Sequence, residues 1–362
     1  MKKQLILATL LTATITLPVG WLWGHYFDWT TFMDSSSSLK SPFVAQLKPA
    51  PELPLLKYSL INMQTYSYQG SQITVNQQIS SSADFDSYLF SYQTLNKTMT
   101  GQLNIPTTPA PKTGYPVVIM IRGWVPEETY VTGTGTKSAA AVLAKNGYVT
   151  LAPDFFGYGE SEPEVSDTWE ARFQKPINIV ELIKTIQLNP LLSINDQAVE
   201  LNPNHEEMHI WAHSNGGQIG LAALEISGLP IKTSLWAPVT APFPYSILFF
   251  SDEHQDEGKK MREWLSLFED EYDVFEFSIT QHLDQLRAPL QIHQGTSDDA
   301  VPVAWNDEFV EKIELENEKR LESTDSAKLA PIEVNYFRYP GANHNLQPNW
   351  NQAIHRDLVF FK

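Results

Sequence analysis

The chain has no cysteine in 362 residues. That excludes disulfides, thiolate metal sites, a cysteine nucleophile and a lipidated cysteine, while leaving the compartment open. Positive charge is scarce too: 25 Lys and Arg stand against 42 Asp and Glu, a net charge of −17. A chain of that sign has no overall field to draw in nucleic-acid phosphates, so no nucleic-acid partner is expected. None of the nine histidines pairs with another at metal-ligand spacing on a carboxylate-bearing helical face, so neither a metal nor a cofactor is expected. No internal repeat is present. With 42% hydrophobic residues, the chain has enough apolar material for one large α/β domain plus additions.

Charge is also missing from residues 5–23, directly after Lys2 and Lys3. The run approaches the roughly 20 residues needed to cross a bilayer. Bulky Trp23, Tyr26 and Phe27 stand where a signal peptidase would require small side chains. Residues 1–32 are therefore expected to be an uncleaved membrane anchor with the remainder facing outward, a cleaved signal being the alternative. Residues 33–65 are rich in Ser and then Pro and read as a tether.

From residue 66 the pattern changes. Short β-prone runs at 72–79, 87–93 and 98–105 read as antiparallel edge strands. Five consecutive apolar residues, 117–121, read as a strand buried on both faces. Helical and strand patterns then alternate: helices at 136–146, 176–188, 214–226, 305–322 and 352–361; strands at 148–152, 208–212, 232–236, 289–293 and 332–339. Such alternation predicts an α/β fold, a mostly parallel doubly wound sheet with antiparallel N-terminal edge strands, over 66–362. Residues 242–285 mix aromatic and acidic residues and are expected to form a cap or lid insertion.

Chemistry concentrates at strand ends. Ala212-His-Ser-Asn-Gly-Gly217 joins a predicted strand to a predicted helix, the spacing of a nucleophile elbow, with Ser214 in a tight turn between small residues. Such a turn would aim the Asn215 backbone N–H at a developing oxyanion. A second donor is expected after the strand 117–121, in Arg122-Gly-Trp124, where Trp124 N–H is the nominee. Either Asp298 or Asp299 follows the strand 289–293, and His344 follows 332–339. An imidazole is needed because its ordinary pKa near 6.5 lets it accept and return a proton at neutral pH. Nucleophile, acid and base occur in that order along the chain. His209 and His293 lie on predicted strands and read as satisfied core residues.

Four segments resemble the prolyl oligopeptidase-type and dienelactone-hydrolase-like serine hydrolases of the α/β-hydrolase superfamily: 115–124, 143–161, the Ser214 elbow, and the loops at 298 and 344. The resemblance implies Asp298 as the acid, since it precedes Val301-Pro302 as the family's acid does. It implies a structural role for Asp154. It also marks Arg122 as a departure, because the family usually carries His there. A serine hydrolase with a Ser214–His344–Asp298 triad, acting on a small ester or peptide, is thus expected. An esterase comes first, a prolyl oligopeptidase-like peptidase second, and a catalytically idle membrane-tethered binding protein third. Neither the oligomeric state nor the substrate is legible.

Overall fold

The computed structural model describes residues 52–188, 191–194, 197–200, 203–251, 256–324 and 329–362. The expected anchor or signal, 1–32, lies outside them, as does the tether through residue 51; no helix among the described residues is long and apolar enough to cross a membrane. Residues 53–65, expected to belong to the tether, are part of the folded unit. A 3-10 turn at Pro54–Tyr58 and helix α1 (Leu60–Gln64) bury Leu55, Tyr58, Leu60 and Met63 in the core. Ser59 Oγ caps α1 by accepting from Asn62 N at 3.3 Å.

Eleven strands among the described residues form one sheet, in the order β11-β10-β9-β8-β4-β5-β3-β2-β1-β6-β7. They are β1 (Thr74–Ser81), β2 (Phe85–Thr94), β3 (Lys97–Pro106), β4 (Tyr115–Ile121), β5 (Val149–Pro153), β6 (Leu191–Ile194), β7 (Gln197–Glu200), β8 (Pro203–His213), β9 (Thr233–Trp236), β10 (Leu290–Gly295) and β11 (Val334–Tyr339). From β5 through β4, β8, β9 and β10 to β11 all neighbours run parallel. β3 lies antiparallel to β5, and β2 and β1 continue the antiparallel edge. The β6–β7 hairpin, which no sequence pattern announced, extends that edge further.

Helices cover both faces: α2 (Lys137–Lys145), α3 (Thr168–Phe173), α4 (Lys175–Leu188), α5 (Asn215–Ser227), α6 (Tyr245–Ser251), α7 (Lys259–Glu271), α8 (Val303–Glu322) and α9 (Trp350–Phe360). β4 shows why the sheet needs two covers. Val117, Ile119 and Ile121 join the core with α4 and α5, while Val118 and Met120 join a second core with α2 and α9. Successive side chains on a strand point to opposite faces, so an unbroken apolar run must be buried twice. Because the central strands are parallel, the loops after β4, β8, β10 and β11 emerge along one rim, at residues 121, 213, 295 and 339.

Behind that rim α9 is tied down by one carboxylate. Asp357 Oδ1 accepts from Ser234 Oγ (2.5 Å), Gln291 Nε2 (2.8 Å) and His293 Nε2 (2.9 Å), and Oδ2 accepts from Trp236 Nε1 (2.8 Å). His293 Nδ1 in turn meets Tyr339 Oη at 2.7 Å. Asp357→Ala would leave these buried donors without an acceptor, and urea unfolding should register a loss of about 3–5 kcal/mol. A second buried carboxyl has the opposite effect. Both side-chain oxygens of Glu225 in α5 are buried without a partner among the described residues, and burial, with Asp284 nearby, pushes its pKa well above the ordinary 4.5. The folded protein thus keeps a proton that the unfolded chain releases above pH 4.5, so this group's contribution to stability declines as pH rises past that value. Urea midpoints of Glu225→Gln and wild type should therefore diverge between pH 4 and pH 8 in favour of the variant; a gap independent of pH would refute the assignment.

Candidate functional site

Ser214 sits between β8 and α5 with φ 56° and ψ −125°, a backbone state that non-glycine residues rarely occupy. Such strain costs about 1–3 kcal/mol and persists only where surroundings enforce it. They do so here through β9 and the loop behind it: Ser214 N donates to Trp236 O at 2.9 Å, and Ser214 O accepts from Gly217 N at 2.9 Å and Val239 N at 3.0 Å. The small residues of the motif have a steric reason. A Cβ on Gly216 would lie 2.3 Å from Ile121 O and 2.5 Å from Arg122 O, and one on Gly217 would lie 2.4 Å from Pro238 Cβ. Ala212 is fully buried on the strand side.

The loops after β10 and β11 are laced together, Thr296 N donating to Tyr339 O and Ser297 N to Ala342 O, both at 3.0 Å. His344 Nδ1 lies 2.9 Å from Asp298 Oδ2 and 3.1 Å from Oδ1. Oδ1 also accepts from Ala300 N and Val301 N, at 2.9 and 2.8 Å, and Oδ2 from Gln294 Nε2 at 3.1 Å. Burial alone would raise the Asp298 pKa, but the His344 hydrogen bond, the two backbone amides and the His344 charge outweigh it and hold the carboxyl below its usual range. Asp299 is exposed and makes no such contact. Since a carboxylate only accepts, His344 carries its proton on Nδ1, leaving Nε2 with the lone pair. His213 fixes the other side of this histidine. Its Nε2 donates to His344 O at 3.1 Å and the rings lie 4.7 Å apart. Burial, reinforced by the nearby His344, brings the His213 pKa down to about 4, so its ring is neutral at pH 7.

Arg122, Gly123 and Trp124 leave the end of β4 and turn across the elbow. A Cβ on Gly123 would come within 2.9 Å of Ser214 Cβ and 3.4 Å of Ser214 Oγ, so only glycine lets this backbone approach so closely. Arg122 itself points back into the protein. Its Nη1 donates to Gly123 O at 2.9 Å and its Nη2 to Asp154 O at 2.8 Å, with the guanidinium packed over Tyr158 (4.0 Å), Tyr130 (4.6 Å) and Phe155 (5.6 Å). In a trans peptide the C=O and N–H point opposite ways. Holding Gly123 O toward Arg122 therefore turns the Trp124 N–H the other way, while Trp124 as a residue is 73% exposed. Asp154 accepts from Thr100 Oγ1 (2.6 Å), Tyr130 Oη (2.7 Å) and Thr132 Oγ1 (3.1 Å), joining three segments.

The structure thus brings His344 onto Asp298 and Gly123 onto Ser214. Among the described residues it gives no hydrogen-bond partner to Ser214 Oγ, to His344 Nε2, or to the amides of Trp124 and Asn215. Beside the elbow lies a cavity of about 370 Å³, lined by Asn215, Gln218 and Ile219 of α5, by Trp169, Arg172 and Phe173 of α3, and by Phe243 and Phe277 of the 242–285 segment. Sequence reading passed over α3, although Trp169, Arg172 and Phe173 stand at the i, i+3, i+4 spacing of one helical face and Asp167 caps it by accepting from Glu170 N at 2.8 Å.

No protein-family model matches the sequence, and no curated protein matches it. Solved structures do resemble it in shape. An acetyl xylan esterase from Paenibacillus sp. superposes with a TM-score of 0.59 at 13% identity over 84% of this chain and 93% of its own. Acetyl xylan esterase 1 from Thermoanaerobacterium sp. gives 0.55 at 12% over 87% and 95%. A puromycin-hydrolyzing peptidase from Mycobacterium tuberculosis gives 0.52 at 14% over 76% of this chain but 39% of its own. Strand order, the rim of loops and these likenesses agree: the chain has the α/β-hydrolase fold.

Proposed function

We propose that the chain is a serine hydrolase that cleaves an ester, or less readily an amide, through an acyl-enzyme. The observation that carries this reading is Ser214, held at φ 56° on the same rim as the His344–Asp298 pair. His344 Nε2 takes the proton of Ser214 Oγ, and the oxygen adds to the carbonyl carbon. The amides of Trp124 and Asn215 receive the resulting oxyanion, the second at the positive end of α5. Collapse expels the alcohol or amine, which takes its proton from His344. Water then enters, loses a proton to His344, and releases the acid from Ser214. An ester is placed before an amide because the esterases named above match nearly their whole lengths, whereas the peptidase matches over 39% of its own. Residues 242–285 act as a lid in this reading, since Phe243, Ile247, Met261 and Phe277 close the cavity beside Asn215.

A fluorophosphonate probe should label the wild-type protein, and neither Ser214→Ala nor His344→Ala should label comparably. Unlabelled wild type, or equal labelling of the variants, ends the proposal. Asp298→Asn, which favours the wrong imidazole tautomer, should lower kcat on p-nitrophenyl acetate by roughly 10³–10⁴-fold. Arg122 acts at one remove, by positioning the Trp124 amide. Arg122→Met should lower kcat by about 10- to 100-fold with a much smaller change in KM; a loss confined to KM would contradict that role.

A further inference from the structure

The chemistry around the acyl group of the substrate is set by the cavity beside Ser214. The wall of the adjacent cavity carries three ionised side chains, Glu164, Arg172 and Lys175. Two of them balance: Lys175 Nζ lies 3.2 Å from Glu164 Oε1. Arg172 is different. Its Nη2 donates to the side-chain oxygen of Gln218, a neutral amide, and no carboxylate among the described residues pairs with it. Neighbouring Glu170 is engaged elsewhere, by Lys57 Nζ at 3.3 Å and Tyr58 Oη at 2.7 Å.

The cavity therefore holds one uncompensated positive charge in a chain whose net charge is −17. Burial lowers the Arg172 pKa to about 10, with no acid opposing the shift, so the group stays charged at neutral pH while losing hydration. Burial lowers the Lys175 pKa against the opposing pull of Glu164, with a smaller contribution from the Arg172 charge beside it. Gln218, the residue that holds Arg172, lies one helical turn beyond Ser214, about 6 Å along α5. Trp169, Phe173, Ile219, Phe243 and Phe277 supply the apolar part of the same wall.

We propose that the substrate is an ester bearing a free carboxylate at the end of a short apolar spacer, with Arg172 binding that carboxylate and Trp169, Phe173, Phe243 and Phe277 packing the spacer. A planar guanidinium fork matches a carboxylate, and a single unbalanced charge suits a monoanion better than a phosphate dianion. This inference rests on the hydrolase reading above and adds a substrate class to it.

The test compares p-nitrophenyl monoesters of adipic and suberic acid with their methyl p-nitrophenyl diesters, in which a methyl group caps the carboxylate and removes its charge. On the full-length chain kcat/KM should favour the charged monoester by about tenfold or more, and Arg172→Gln should lower that ratio toward one. Free adipate should compete against hydrolysis of p-nitrophenyl acetate by wild type, which decides the matter even if the variant fails to fold. A wild-type ratio at or below one, a ratio unchanged in folded Arg172→Gln, or no competition by adipate overturns the inference. If p-nitrophenyl acetate is hydrolysed and Ser214 is labelled in those same preparations, only the substrate class falls. If neither occurs, the hydrolase reading falls with it.

Discussion

Gly216 lies against the carbonyl oxygens of Ile121 and Arg122, and Gly123 lies against Ser214. Two pieces of backbone, the elbow after β8 and the loop after β4, therefore touch where no side chain fits between them. Much follows from this contact. It sets the loop that Arg122 braces directly against Ser214, and the start of α5 against the end of β4. It also explains why the elbow tolerates a strained residue. The bonds from Trp236 O and Val239 N clamp Ser214 from the neighbouring strand and the loop that follows it, so relaxing φ would break contacts on two sides at once.

The sheet carries two histidine–carboxylate pairs that are chemically alike and physically distinct. His293 and Asp357 are both fully buried, and each of the ring nitrogens and carboxylate oxygens has a partner. That pair is a fastener for α9. His344 keeps 19% of its side chain exposed and engages Asp298 through one nitrogen only. A partly exposed ring with one nitrogen left without a partner among the described residues is what sets His344 apart from the fully engaged His293. Residue type alone does not separate them. Position along the strand does: His293 lies within β10, whereas His344 lies in the turn beyond β11.

This contrast explains what was readable beforehand. Strands such as β4 and β5 announce themselves because burial on two faces demands unbroken apolar runs. Ser214, Asp298 and His344 are readable because each sits in a turn whose small and polar residues are sterically required, and Gly295 and Gly216 are instances of that requirement. The Arg172 cavity was not readable, since its walls come from residues 58, 172, 215, 243 and 277, which only tertiary packing brings together. The six-residue α3 is too short for its i, i+3, i+4 face to repeat. The start of the folded body was misplaced for a related reason. Prolines at 51 and 54 look like tether, yet Leu55 and Tyr58 immediately after them pack into the core.

The Asp357 network has a consequence for the order in which the chain matures. Synthesis delivers the elbow at 214 well before the loop at 298, the imidazole at 344 and the carboxylate at 357 that binds β9 and β10 to α9. A growing chain can thus form most of its parallel sheet while Ser214 is still without His344 and Asp298. On the mechanism proposed above, Ser214 would have no partner for proton transfer until the chain is nearly complete, and a nascent molecule would not yet be a catalyst.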